Sequence, residues 1–143
     1  MTPSKSPRRA LSVALWAVQI LLAVTFVGTG VWKLLTPIPK LAAMIPWAGQ
    51  VSSGFLYFTA AVDLCGGAGL ILPAATRIKP GLTVWAALGC AALQVCAIAF
   101  HFSRGEAAKT PFNALLVALS LFVVWGRAPL VPAVKGQNMA SRS

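Results

Sequence analysis

The chain has 143 residues, of which 58% are apolar and only 10% are charged. Soluble domains have roughly 45–50% apolar and about 25% charged residues, so an ordinary water-soluble fold is excluded. The length suits one compact unit rather than separate cofactor and substrate lobes. With two acidic residues, Asp63 and Glu106, and one histidine, His101, the chain lacks the ligands for a carboxylate-rich magnesium or calcium site or a three-histidine zinc site.

The formal net charge is +10, which raises the question of a nucleic-acid partner. The lysines and arginines, however, flank long apolar stretches and do not form one basic patch among aromatic side chains. This distribution is typical of membrane proteins, whose loops carry the positive charge. Composition therefore predicts the lipid bilayer as a partner and no nucleic acid.

Four apolar segments are long enough, or nearly so, to cross a bilayer, which takes about 20 helical residues. They cover residues 11–35, 55–72, 82–102 and 112–125. The fourth is the shortest and needs Pro111 and residues 126–130 to complete a crossing. Prolines after the first two segments, and residues 103–105 after the third, predict where the helices end. The first apolar run is too long for a secretory signal, so we interpret it as an uncleaved helix.

The predicted fold is an all-α, integral membrane four-helix bundle at residues 11–130, multi-pass in the inner (plasma) membrane. Eight lysines and arginines lie on the side of the termini and of the second loop, against four on the other side. The positive-inside rule therefore places both termini in the cytoplasm, as a basic tail (1–10) and a polar tail (131–143). On the opposite side, the apolar connection at 36–54 is suited to lie in the interface and cap the bundle.

Asp63 is the most informative polar residue, because it lies roughly 12 Å inside the second segment at about 1.5 Å per residue. An ionisable side chain at that depth usually faces the bundle interior and has a partner. Thr59, Gly66 and Gly67 share its face and would allow another helix to come close. The third segment offers a matching stripe of small and polar residues. The stripe consists of Ala87, Cys90, Ala91, Gln94, Ala97, Ile98 and His101.

Together, the four helices are predicted to bring five polar side chains into one half of the bundle. These are Lys33, Asp63, Gln94, His101 and Asn113. In one interpretation they hydrogen-bond one another between helices, and Lys33 extends toward the lipid headgroups. In the other they line a ligand-binding cavity open to the non-cytoplasmic side. Asp63 would then lie at its base, and His101 and Lys33 at its mouth would bind an anion, a phenol or a quinone oxygen.

The three cysteines have weaker implications. Cys90 and Cys96 point in different directions on one helix and cannot pair, whereas Cys65 and Cys90 are close enough in depth to pair across helices. Buried cysteines more often act as small apolar packing residues, which is the interpretation we favour. The chain has no ligation pattern for haem, flavin or an iron–sulfur cluster.

Several short motifs resemble, in this order, the DoxX-like family of small four-helix membrane proteins. They are FVGTGVWKL at 26–34, MIPWAG at 44–49, VDLCGGAGLILP at 62–73, TRI at 76–78 and FHFSRGE at 100–106. The resemblance extends over residues 24–127. It implies that the family's recurring polar positions are Lys33, Asp63, His101, Arg104, Gly105, Glu106 and Asn113. The acidic position is usually glutamate in the family, and the aspartate found here reaches less far.

The resemblance also implies functions. Relatives include a subunit of a thiosulfate:quinone oxidoreductase and membrane partners of redox enzymes. Our first hypothesis is therefore a protein that binds a small lipophilic ligand, such as a quinone, within a membrane redox system. It would then be a subunit of a quinone-linked oxidoreductase. Other relatives assist receptor assembly or cargo export, which implies a non-catalytic membrane partner or assembly factor instead. A transporter is the third hypothesis, and with only four helices it would require a homo-oligomer.

Overall fold

The computed structural model describes residues 5–130 and contains five α-helices. They are α1 (Lys5–Leu35), α2 (Ile38–Met44), α3 (Ser53–Thr76), α4 (Leu82–Ser103) and α5 (Thr110–Arg127). Single 3₁₀ turns follow α2 at Pro46–Gly49, precede α5 at Ala107–Lys109 and follow it at Ala128–Leu130. No strand is present in the described part of the chain. The predicted all-α architecture is therefore confirmed.

Four of the helical stretches are long and apolar enough to span a membrane. They are Pro7–Leu35, Ser53–Thr76, Leu82–Ser103 and Ala107–Arg127. Their outward faces carry large exposed apolar side chains, among them Ile20, Phe58, Trp85 and Leu121. Because a water-soluble bundle would have polar residues at such positions, these faces are suited to contact lipid. The structure thus confirms a multi-pass membrane bundle, while the cytoplasmic location of the termini remains a prediction.

Two predicted boundaries are corrected by the structure. α1 begins at Lys5, so the second half of the predicted basic tail at 1–10 is helical and continuous with the first span. α3 does not end before Pro73 but continues through it to Thr76, where Arg77 adopts the left-handed conformation (φ 57°) that ends the helix. The predicted tail at 131–143 lies outside the described residues.

A hydrogen bond from a neighbouring helix lies one residue away from the carbonyl that Pro73 leaves without its helical donor in α3. A proline lacks the N–H that would bond the carbonyl four residues back and its ring crowds that turn. Next to this weakened turn, the Gln19 amide of α1 donates to the Leu70 carbonyl at 2.6 Å. The bond joins α1 to α3 at this turn, and contacts with adjacent helices help membrane helices to continue through a proline.

Glycines allow α3 to approach its neighbours closely. A Cβ at Gly67 would come within 2.6 Å of Val27 Cγ2 on α1, and a Cβ at Gly66 within 2.8 Å of Cys90 Sγ on α4. Both distances are shorter than a Cβ makes in real structures, so the neighbouring helices or side chains would have to shift to admit a larger residue. The prediction that partner helices pack against this glycine face is confirmed, since α1 and α4 occupy it.

The connection between α1 and α3 covers one end of the bundle. Leu41 of α2, Ala48 and Leu56 form a buried apolar cluster, against which Trp32 and Trp47 also pack. The N-terminus of α3 is fixed next to it, because the Ser52 hydroxyl accepts the Phe55 N–H at 3.2 Å. The prediction that residues 36–54 cap the bundle is confirmed. We refer to residues 36–54 as the cap.

Candidate functional site

A buried ion pair joins α1 to α3 near the cap. Lys33 Nζ lies 2.8 Å from Asp63 Oδ2, and the Lys33 residue is only 7% exposed. The Thr59 hydroxyl is a second acceptor for Lys33 Nζ at 3.3 Å, and the Trp47 ring centroid lies 5.5 Å from the same ammonium. The lysine is thus occupied on three sides. Lys33 therefore does not extend toward the headgroups, while its bond to Asp63 is an interhelical hydrogen bond of the kind that the first interpretation predicts.

This ion pair forms part of the wall of a cavity of about 480 Å³. All five predicted polar residues, Lys33, Asp63, Gln94, His101 and Asn113, line it. The remaining wall is mostly apolar and aromatic, with Trp32, Trp47, Phe100 and Phe112 among its members. The structure therefore places the predicted residues around one shared space. Whether they bind a ligand is a separate question, which the geometry of their polar groups addresses.

Gln94 and Asn113 differ from the ion pair because their amides are available. The side-chain hydrogen bonds found among the described residues include neither amide. Gln94 is nonetheless buried, at 8% exposed. A buried amide normally finds a partner, since each unmade hydrogen bond costs about 1–3 kcal/mol. Here both amides face the cavity, where they can donate to or accept from a bound molecule.

A charged cluster surrounds the end of α4 at the cap. Gly105 has a φ of 70°, and this left-handed turn brings the Glu106 N–H to 2.9 Å from the His101 carbonyl. The same turn places Glu106 Oε2 2.9 Å from His101 Nδ1. Arg104 and Lys109 approach the carboxylate at 3.6 and 3.5 Å. Glu106 thus has both Arg104 and Lys109 as partners, and His101 is closer than either.

The electrostatics of this cluster favour an ionised Glu106. The hydrogen bond from His101 lowers the pKa of the carboxyl, partial desolvation opposes that effect, and the charges of Lys109 and Arg104 lower the pKa further. Sequence analysis did not include Glu106 among the ligand-lining residues, and the structure does not place it in the cavity wall. Its position five residues after His101, beyond a glycine, is the signal that predicts their contact.

The cap is attached to α4 by side-chain contacts over the cavity. Trp47 packs edge-on against Phe100, with ring centroids 6.0 Å apart. Arg104 donates a hydrogen bond to Gln50 Oε1, and its guanidinium lies 5.3 Å from the Phe100 centroid. These contacts cover the cavity on the side where the predicted topology places the aqueous phase.

A comparison with known families agrees with this architecture. A family model described as the DoxX-like family matches residues 17–123, which is well over half of the chain. The chain belongs to the DoxX-like family. The matched region of this DoxX-like chain contains Lys33, Asp63, Gln94, His101 and Asn113, and therefore every predicted site residue. Comparisons with curated proteins and with solved structures found no significant match.

The opposite end of the DoxX-like bundle contains a polar network that sequence analysis missed. Gln19 is fully buried; while its amide nitrogen bonds the Leu70 carbonyl, its oxygen accepts from Arg127 Nε at 2.7 Å. The Arg127 guanidinium lies 5.3 Å from the Trp16 ring centroid. A glutamine within an otherwise apolar span was the available signal. Its partners are a backbone carbonyl and a residue 108 positions away, which no spacing rule identifies.

The cysteines of this DoxX-like chain are all free. The cross-helix pair considered for Cys65 and Cys90 is not formed. Cys90 is buried between α3 and α4, as expected of a packing residue, whereas Cys65 and Cys96 are exposed on the bundle surface. Cys96 also contributes to the cavity wall.

Proposed function

We propose that this DoxX-like protein binds a neutral lipophilic molecule of the quinone class in its cavity, in the inner (plasma) membrane and as part of a membrane redox system. The observation that carries the proposal is a largely apolar cavity with two unpaired amides facing it. Its volume of about 480 Å³ falls in the range of about 300–1,000 Å³ typical of small-molecule sites. Apolar walls with a few convergent polar groups are the usual composition of such sites.

Charge supports a neutral ligand rather than an anion. Lys33 is neutralised by Asp63 at 2.8 Å, and Glu106 is surrounded by His101, Arg104 and Lys109. Binding an anion at Lys33 would require breaking a buried ion pair, which is costly in a low-dielectric site. In this proposal the ligand oxygen is therefore not assigned to Lys33, although the sequence made Lys33 a candidate for that contact. In our proposal Lys33 and Asp63 shape and polarise the base of the cavity.

The available hydrogen-bonding groups suit a ring with oxygen substituents. The amides of Gln94 and Asn113 have N–H groups that can donate to carbonyl oxygens. His101 uses Nδ1 for Glu106, and its other ring nitrogen is available to exchange a hydrogen bond with a carbonyl or hydroxyl of the ligand. The aromatic residues Trp47, Phe100 and Phe112 provide flat surfaces for the ring.

The test is the quinone content of the purified protein. The full chain is extracted in mild detergent, and the lipid extract is analysed by chromatography and mass spectrometry as moles of quinone per mole of protein. We expect Gln94→Met to reduce retained quinone by roughly tenfold, because it removes a ligand hydrogen bond inside the cavity and keeps the side-chain length. Gln19→Met is the matched control, since it removes a buried amide outside the cavity wall.

Absence of quinone from the wild-type protein, with no uptake of added quinone, would overturn the proposal. Equal losses in Gln94→Met and Gln19→Met would also contradict it, because a local ligand contact cannot be removed from the other end of the bundle. Mass spectrometry of co-purified proteins in the same preparations would then examine the assembly-factor hypothesis.

A further inference from the structure

A second concave feature lies between α3 and α4, on the surface of the bundle. It is a groove of about 380 Å³ lined by Phe58, Cys65, Gly66, Gly89 and Leu93, together with the small residues Ala61 and Ala86. Each described residue of its lining is apolar or a cysteine. The groove exists because glycine and alanine leave the space that larger side chains would fill. Its α3 and α4 residues all belong to the membrane-spanning stretches, so hydrocarbon rather than water surrounds it.

The groove and the cavity adjoin at one residue. Leu93 contributes to the walls of both, and the exposed Cys96 lies on the cavity wall one turn of α4 beyond it. From Leu93 the groove extends to Ala86, which is about 10 Å along a helix at roughly 1.5 Å per residue. Because the two spaces share Leu93, a molecule with its head in the cavity has the groove within reach of an apolar tail.

We infer that the ligand is a tailed amphiphile, with a quinone-type head in the cavity and its hydrocarbon tail in the groove between α3 and α4. This inference rests on the proposed function and defines its ligand class. Trp47 of the cap and Phe100 pack together in the cavity wall on one side, whereas the groove adjoins the cavity at Leu93 and lies on the surface that faces lipid. Such a ligand enters from the bilayer.

Its position beside the cavity, at the shared residue Leu93, distinguishes this groove from a surface that any lipid chain fills. Apolar attraction alone does not favour the groove, because the surrounding lipid tails are equally apolar. A tail attached to a bound head is different, since the head holds it near the groove at a high effective concentration. The tail should therefore add affinity only when it is covalently linked to the head.

Gly89 provides a direct test. A Cβ at Gly89 meets no atom within 4 Å, so Gly89→Leu places a side chain in the groove without disturbing the fold. Gly28 on α1 is a matched control, because its Cβ also meets nothing within 4 Å and it lines neither the cavity nor the groove. The probes are a decyl-substituted benzoquinone and the same benzoquinone without a tail. Binding to the full chain is measured by quenching of tryptophan fluorescence, since Trp32 and Trp47 line the cavity.

We expect Gly89→Leu to weaken binding of the decyl compound by about fivefold or more and to change that of the tailless compound by less than about twofold. Gly28→Leu should change neither. Because each variant is compared with wild type for the same compound, the partition of the decyl compound into detergent cancels. If Gly89→Leu affected both compounds equally, or neither, the tail site would be wrong while the quinone cavity remained. If neither compound bound the wild-type protein, the proposed function would fall as well.

Photolabelling of the wild-type chain gives a second result that does not depend on any variant. A benzoquinone with a diazirine at the end of a decyl tail should label peptides containing Phe58 to Gly66 or Ala86 to Leu93. Excess unlabelled decyl compound should suppress that labelling. Labelling concentrated near Thr25 or Phe112, on the α1 and α5 side of the cavity, would overturn the assignment of the tail to this groove.

Discussion

The two buried glutamines, which lie toward opposite ends of the bundle, differ in their hydrogen-bond partners. At the end away from the cap, the Gln19 amide is bonded on both sides, by the Leu70 carbonyl and by Arg127, and the surrounding space is filled by a core cluster that includes Leu22 and Val123. At the cap end, Gln94 is almost as buried as Gln19 but borders a cavity of about 480 Å³.

In a chain with few polar residues, this difference distinguishes polar groups that hold helices together from polar groups that we propose to bind a ligand. Within a membrane, an amide that is bonded on both sides holds helices together. A buried amide that borders an open space contributes little to the fold, and its desolvation is repaid only when another molecule bonds it. We therefore propose two different roles for glutamine here, which only the neighbours of each side chain distinguish.

The largest expected effect concerns the Lys33–Asp63 pair, which joins two helices and also lines the cavity. Lys33→Met should lower the free energy of unfolding by about 3–5 kcal/mol, because it leaves a buried carboxylate without its partner. The double variant Lys33→Met with Asp63→Leu should recover most of that loss, since a buried ion pair is often replaceable by apolar residues. Thermal unfolding of the detergent-solubilised variants, monitored by circular dichroism, measures both changes.

Quinone retention in the same double variant sharpens the comparison. If the pair shapes the ligand site, the double variant should be stable and yet retain less quinone than wild type. Full retention would show that the pair contributes only to folding, as the Gln19 network does. In that case Lys33 and Asp63 would no longer be counted among the residues of the proposed ligand site.

The substitution of Gln19 should have the larger effect on stability, whereas the substitution of Gln94 should have the larger effect on quinone retention. Gln19→Met removes hydrogen bonds to the Leu70 carbonyl and to Arg127, and should cost about 2–3 kcal/mol because both groups lose a partner. Gln94→Met should cost less than about 1 kcal/mol, since no hydrogen bond within the described residues is broken. Unfolding midpoints of the two variants, measured after removal of bound lipid, test this order. A larger loss for Gln94→Met would contradict the distinction between the two ends.

The sequence predicts one end of the molecule better than the other. The four spans follow from apolar length, and the inward face of α4 follows from three- and four-residue spacing, as the burial of Ala87, Cys90, Ala91 and Gln94 confirms. Because Asp63 requires a polar partner at its own depth in the membrane, few residues of the sequence are candidates for that partner. The network of Gln19 and Arg127 depends instead on how distant helices meet. Pro73 is a similar case, because the sequence predicts a helix end there although α3 continues through it.

Gly67→Ala tests the close packing that supports both ends. An added Cβ would lie 2.6 Å from Val27 Cγ2 and 3.1 Å from the Ala23 carbonyl oxygen on α1, so α1 and α3 must separate. We expect a loss of about 1–3 kcal/mol in unfolding free energy and weaker quinone retention, because the Lys33–Asp63 pair spans these same helices. Gly28→Ala is the control, since its Cβ meets no atom within 4 Å. Equal stability of the two variants would show that α1 and α3 are not tightly packed at Gly67.

The smallest expected effect is the pH dependence of the charged cluster beside the cap. The pKa of Glu106 is lowered below its ordinary value of 4.5 by His101, Lys109 and Arg104, so the folded state binds the proton less readily than the unfolded state does. The resulting stabilisation is complete above about pH 4.5 and is lost as the pH falls through the lowered pKa. Because the Glu106 side chain is 20% exposed, solvent weakens the effect.

Unfolding midpoints between neutral pH and pH 3 should therefore fall slightly more for wild type than for Glu106→Gln, whose side chain does not titrate. Parallel curves would indicate that the His101–Glu106 contact does not stabilise the cap end, and that the stability of that end depends on the Lys33–Asp63 pair and the apolar contacts of the cap.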